Sequence, residues 1–292
     1  MLFRSGRVPE ALTLAEQSLA LQEQLGATDG PEGAVVMTYL GLYCGMVGRY
    51  REALAHLDAA LACFQRDKQV LWTAVASNHK AQFLVDLGQY ARAQQTLGYE
   101  APPIDHVRAR GATIAARIER ALGHSGREGL ERAQLNLSAG SDPHVRMHVM
   151  LEDALSGDPL AAVQRCDEAL QLALTLEFAG VAMKARLLRA HAESRAGHTE
   201  IAATAMRELV VQMAHVQPAD LYLGQAWWLA SQVFEANGDS DQALMTLAQG
   251  ALWVRRTAFP QVPDEFRDSF LHRNLVNRAL LAAAGRHRSP DP

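Results

Sequence analysis

The chain has 292 residues, a formal net charge of −4, and is 49% hydrophobic but only 6% aromatic. That is enough apolar material for one or two cores or one extended array, and its alanine- and leucine-rich character favours helix over sheet. Interspersed charge argues against a dedicated nucleic-acid surface, which shows as a basic domain or stripe, and no apolar run approaches the roughly 20 residues that span a bilayer.

Met1–Ser5 reads as the tail of a first helix turned by Gly6, with a second helix over Pro9–Gln24. The array is expected to open inside a truncated repeat, as a piece of something longer would. After a glycine-rich loop, helices are expected over Ala34–Val47, Tyr50–Gln65, Val70–Leu87 and Tyr90–Leu97. The two prolines of Gly98–Pro103 stop helix propagation. A shorter, degenerate repeat follows near 104–138, with helices over Ile104–Leu122 and Arg127–Leu137. Beyond the loop Ser138–Pro143 come helices over Val145–Ser156, Leu160–Leu174, Phe178–Ala196, Thr199–Ala214, Ala219–Asn237 and Ser240–Arg256.

A ladder of small residues runs through these pairs. Turn glycines stand at Gly6, Gly48, Gly88, Gly157, Gly197 and Gly238, and five residues after each comes an alanine: Ala11, Ala53, Ala93, Ala162, Ala202 and Ala243. Seven residues before the glycine the side chain is small at Gly41, Ala81, Ala190 and Ser231, with Met150 the exception. Glycine ends a helix because it accepts left-handed backbone angles, and small residues let two antiparallel helices approach closely. One hairpin cannot bury its apolar face alone, so units stack and share a core.

On these residues the chain resembles tetratricopeptide-repeat proteins over nearly its whole length. It departs from the family's usual aromatics, and its units of roughly 40 residues exceed the common 34. Such units are similar to the repeat arrays at the C-terminal ends of large bacterial signal-transduction ATPases and transcriptional regulators. The resemblance implies an all-α, right-handed superhelix of about seven helical hairpins over residues 1–257.

The C-terminal stretch differs. Ala258–Ala284 is expected to open with a proline-punctuated loop and, from Pro263, to form a capping helix, with Phe266, Phe270, Leu271 and Val276 covering the end of the last hairpin, and 285–292 a disordered tail. The string Pro263, Phe266, Arg267, Ser269, Phe270, Leu271, Arg273, Asn274, Val276, Asn277 and Arg278 is similar to the end of bacterial multidomain regulators that join a signal-transduction ATPase to a transcriptional-activator or nucleotide-cyclase domain. That likeness implies a sensor or interaction arm whose ATPase or effector lies outside this chain. The alternative is a standalone scaffold or assembly adaptor.

No phosphate loop, dinucleotide fingerprint or nucleophile elbow occurs, and no cofactor is expected. Three cysteines, Cys44, Cys63 and Cys166, form no motif and read as buried thiols. With no secretory signal visible, they suit a reducing cytoplasm. His144 and His148 lie one helical turn apart, but a third ligand is missing, so exposed helical histidines are expected and no metal. Asp239 and Asp241 read as capping or solvation.

In a superhelix of this family the first helix of each hairpin lines the concave face. Polar or large residues expected to face inward are Asn78, Gln82, Asp86, Lys184, His191, Arg195, Gln225, Trp228, Gln232 and Glu235. Trp228 with Lys184, His191 and Arg195 is the expected contact cluster for a protein or peptide partner or a small-molecule effector, since tryptophan and arginine are enriched at binding hot spots. The carboxylate clamp of chaperone-binding repeats is not expected, because the corresponding stretch supplies Thr38 and Leu42.

Overall fold

A computed structural model describes residues 5–99, 102–138, 140–155 and 157–286. The expected features at Met1–Arg4, inside Gly98–Pro103 at residues 100 and 101, at residues 139 and 156, and in the tail from residue 287 lie outside the described residues. Among the described residues there is no strand, and no helix is long and apolar enough to cross a membrane.

The helices follow the expected order: α1 Val8–Gln24, α2 Pro31–Met46, α3 Tyr50–Arg66, α4 Val70–Asp86, α5 Tyr90–Thr96, α6 Asp105–Ala121 and α7 Arg127–Leu135. They continue as α8 Pro143–Asp153, α9 Pro159–Thr175, α10 Ala179–Arg195, α11 Thr199–Gln212, α12 Leu223–Ala236 and α13 Ser240–Leu252. The chain separates into two compact units, one built from Val8–Val145 with Ala258–Asn274, the other from residues 5–7, Arg146–Thr257 and 275–286. The boundary falls inside α8.

The ladder works as sequence chemistry requires. A Cβ at Gly41 on α2 would stand 2.5 Å from Leu57 Cγ and 3.0 Å from the Ala53 carbonyl on α3, so glycine is what lets the two helices close. Gly45 gives the same access to the next hairpin, where the Phe83 ring would lie 2.2 Å from an added Cβ. Gly6, Gly48, Gly88, Gly197 and Gly238 all hold positive φ. Gly157 does not. Its turn is set instead by Asp158, whose carboxylate accepts from the Ala161 amide at 2.9 Å ahead of Pro159. Between hairpins the non-glycine left-handed positions are Lys68 (φ 54°), Glu177 (φ 56°) and Asp220 (φ 51°), side chains that no glycine pattern marks.

The degenerate repeat keeps the hairpin but shifts its crossing point. Gly123 and Gly126 both have positive φ, and the close contact is Gly129 on α7 against Ala116 on α6, 2.8 Å from a notional Cβ.

In the second unit, Met147, Leu151 and Ala154 join Cys166, Ala169 and Val181 in one core cluster. A further cluster combines Met183 and Leu187 with Met206, Val233 and Phe234.

The C-terminal segment does not form the single helix expected. α13 runs into a π-helical turn at Trp253–Ala258, then 3-10 turns at Phe259–Gln261 and Asp264–Phe266, α14 at Arg267–His272 and α15 at Leu275–Arg286. The prolines at 260 and 263 fall among the short turns where a loop is expected, and the unexpected break lies beyond them, between α14 and α15. Phe266 and Phe270 pack on the early hairpins rather than on the last one. Phe270 is fully buried beside the Tyr50 ring, 6.0 Å between centroids, and Phe266 lies under the Arg92 guanidinium at 4.9 Å. Leu280 of α15 does reach the last hairpin, against Gly250 of α13.

Candidate functional site

The residues expected on the inner wall divide between buried braces and accessible surface. Asn78 on α4 is 2% exposed. Its Nδ2 donates to the Val107 carbonyl at 3.1 Å and its Oδ1 accepts from the Tyr99 hydroxyl at 2.9 Å. It ties α4 to α6 where Gly111 allows close approach, so it is not an open contact for a ligand. Gln82 donates to Asp86 at 3.3 Å and accepts from Arg117, and the Asp86 carbonyl accepts from Asn274 at 2.7 Å. Gln82 and Asp86 are half-buried.

Lys184 is likewise a correction. It is buried, paired with Glu152 Oε1 at 3.1 Å and bonded to the Asp220 carbonyl at 3.2 Å. Helical spacing alone put it beside Arg195, but the nearly all-round burial of α10 leaves few side chains of that helix open. His191 is half-buried, and desolvation, helped by the Arg195 charge, depresses its pKa from 6.5 to about 4. Arg195 is exposed and donates to the Gly157 carbonyl at 3.0 Å.

α12 keeps the rest. Ala226, Leu229, Ala230, Val233 and Phe234 fill its buried face. Gln225, Trp228, Gln232 and Glu235, spaced by three and four, share the other face, half-buried at the first three and exposed at Glu235. α10 and α12 pack against each other. Trp227 is half-buried with its Cβ close to Gly250 on α13, so it packs between helices.

A second feature was not anticipated. In the first unit a polar cleft of about 610 Å³ is lined by Arg51, Asp58, Lys80, Arg92, Glu265 and Phe266. Lys80 pairs with Asp58, and Arg51 pairs with Asp264 at 3.0 Å. The charges come from three helices and from a segment some 180 residues distant in the chain, as the Gln89–Ser269 bond shows by its separation of 180. No local spacing announces such a set.

The thiols carry no activated chemistry. All three cysteines are free and buried, and burial pushes Cys44 up to about 11 and Cys166 up to about 12. His144 and His148 are buried, not exposed as expected, because that face of α8 turns inward. Among the described residues no group of three His, Cys, Asp or Glu side chains is placed to hold a metal ion. At the position of the carboxylate clamp, Thr38 and Leu42 are buried, with the Thr38 hydroxyl donating to the Ala34 carbonyl at 2.8 Å.

Residues 1–66 match the model of the tetratricopeptide repeat family. Match and architecture together support a tetratricopeptide-repeat protein. Tetratricopeptide repeats mediate protein–protein interaction, and no catalytic family is indicated. No curated protein matches the chain.

Proposed function

We propose that this tetratricopeptide-repeat protein binds a protein or peptide partner through the open faces of α10 and α12, with Trp228 as the apolar anchor and His191, Arg195, Gln225, Gln232 and Glu235 around it. The observation that carries the reading is Trp228 itself: a large aromatic left half-buried on the helix face opposite a well-filled core. Half-desolvated tryptophan next to arginine is the composition of a hot spot. The test places a photo-crosslinking amino acid at Gln225 in the full chain expressed in its host. A single crosslinked partner that is lost in the Trp228→Ala/Arg195→Ala variant supports the face. Retention of the same partner by that variant overturns it. Lys184 is left intact because its substitution strikes folding.

We further propose that this binding serves as the sensing arm of a bacterial multidomain regulator, working in the cytoplasm on an attached ATPase. The support is the regulator-like string from Pro263 to Arg278, whose Pro263 and Phe266, with Glu265, line the polar cleft. That position favours a small-molecule effector as a second ligand there. Reading the source DNA upstream of the Met1 codon tests the arrangement. A frame that continues into a phosphate-loop ATPase supports it, and a stop codon with a ribosome-binding site immediately upstream leaves the standalone scaffold in its place.

A further inference from the structure

The last helix of the ladder carries an apolar face that neither the hairpin core nor the α10–α12 face uses. Leu247 and Ala251 of α13 form a floor, 8% and 6% exposed. Leu252 stands along the rim, 42% exposed. Ala284 of α15 supplies the opposite wall, and the whole makes a groove of about 610 Å³. α15 is held in place by Leu280 against Gly250.

Two arginines, Arg255 and Arg256, line the C-terminal end of this groove, and both are exposed. Elsewhere on the surface Arg49, Arg66, Arg127, Arg165, Arg189 and Arg207 are each within ion-pair distance of a carboxylate. Among the described residues neither Arg255 nor Arg256 has such a carboxylate. Consecutive residues of an α-helix diverge widely, so two neighbours rarely serve one groove. Here they sit in the π-helical turn Trp253–Ala258. Its wider i→i+5 turn brings successive side chains closer in direction, and π turns of this kind recur at functional sites. The turn is anchored from below by buried Val254 and Ala258 and by Trp253 edge-on to Tyr222 at 5.3 Å.

We propose that this groove docks an amphipathic helix of a partner protein whose apolar face ends in carboxylates. Leu244 to Arg256 spans about 18 Å of helix, roughly three turns of a docked helix. The apolar surface is two residue columns wide, Leu244–Leu247–Ala251 beside Ala248–Leu252, which suits a helix of about 10 Å diameter rather than a single acyl chain. The fork-shaped guanidiniums supply the complement to a carboxylate, bound bidentately. Helix-in-groove docking is the mode that these features define.

The test uses the full chain and two fluorescein-labelled helical peptides of identical leucine spacing, one with glutamates at its ends and one with lysines. Fluorescence anisotropy is expected to show the glutamate peptide binding roughly tenfold or more tightly, the size of a charge-assisted pair. The preference is expected to vanish in Arg255→Glu/Arg256→Glu, whose exposed sites leave the helical circular-dichroism signal unchanged. Leu252→Glu is expected to weaken both peptides. Equal affinity for the two peptides overturns the proposal, as does a glutamate preference that survives in the arginine variant. Arginine-dependent binding of decanoate with no binding of either peptide also overturns it, and assigns the groove to a small anionic amphiphile.

Discussion

Lys184 Nζ lies 3.1 Å from Glu152 Oε1, and the two side chains are only 2% and 1% exposed. A charge this far from water is held by its partner or not at all. The same ammonium donates to the carbonyl of Asp220, a non-glycine residue at φ 51°. One lysine therefore joins α8, α10 and the strained turn before α12. Lys184→Met removes the cation and leaves Glu152 charged in the core, at a cost of about 3–5 kcal/mol. Lys184→Met combined with Glu152→Leu is expected to recover much of that loss. Urea midpoints of the two single variants and the double variant check the coupling, and additive losses would contradict it.

His191 predicts an acid limb to stability. Its pKa falls from 6.5 to about 4, first through desolvation and then through Arg195. Above pH 6.5 the imidazole is neutral in both folded and unfolded chains, and stability is complete. As pH falls below 6.5 the unfolded chain takes up a proton that the folded chain refuses until about pH 4. Stability then drops by about 1.4 kcal/mol per pH unit, toward roughly 3 kcal/mol in all. Urea denaturation at pH 7, 5.5 and 4.5 measures it. His191→Leu is expected to flatten the profile over that window, and Arg195→Gln to flatten it in part.

How far the sequence reached is clear from particular contacts. Gly41 opposite Ala53 and Leu57 was legible because the hairpin is local: both partners sit within one repeat, and steric need fixes residue size. Gly157 kept the spacing but not the backbone angle, since an Asp-Pro pair does the turning there. Asn78 and Lys184 were misplaced for one reason. Helical period says which residues share a face, but not how much neighbouring structure covers it. The polar cleft was invisible because its walls come from parts of the chain far apart in sequence. Phe266 and Phe270 are expected on the last hairpin because it is the nearest in sequence, and no local pattern names Tyr50 and Arg92 as their partners.

The regulator-like segment gives a third prediction. Ser269 donates to the Leu87 carbonyl at 2.7 Å and accepts from Gln89 Nε2 at 2.6 Å, and Asn274 donates to the Asp86 carbonyl. All three clasp the turn around Gly88, which holds φ 71° and where an added Cβ would stand 2.5 Å from the Ser269 carbonyl, leaving no room for a side chain. Gly88→Ala meets both the left-handed penalty and that clash, so a loss of at least roughly 1–2 kcal/mol is expected. Ser269→Ala takes the hydroxyl away from the buried Leu87 carbonyl and the half-buried Gln89 amide and costs about 1–3 kcal/mol. Hydrogen exchange should show residues 264–274 opening more readily in both variants, while α10–α12 protection stays as in the parent. Uniform loss across the chain would count against a local clasp.

The cysteines set the alkaline side. Cys166, 0% exposed, and Cys44, 1% exposed, have thiols pushed up by burial to about 12 and about 11. Cys63 is raised by the same cause but lies against the Asp29 carbonyl and the surface side chains Arg66 and Asp67. Disulfide-exchange labelling of the native chain at pH 8 is therefore expected to modify Cys63 first, Cys44 later and Cys166 last, with all three reacting at once in denaturant. Cys63→Ser should remove the fast phase alone. The sign of the pH effect is opposite to that of His191. A raised folded pKa means that the folded chain keeps a proton that the unfolded chain gives up, so stability is intact below pH 9 and falls from there toward pH 12. Each deeply buried thiol contributes a slope of about 1.4 kcal/mol per pH unit. Cys44→Ala/Cys166→Ala tests it. Whatever these substitutions cost at pH 7, the loss between pH 9 and 11 should shrink in the variant, and an unchanged slope would show that other groups carry it.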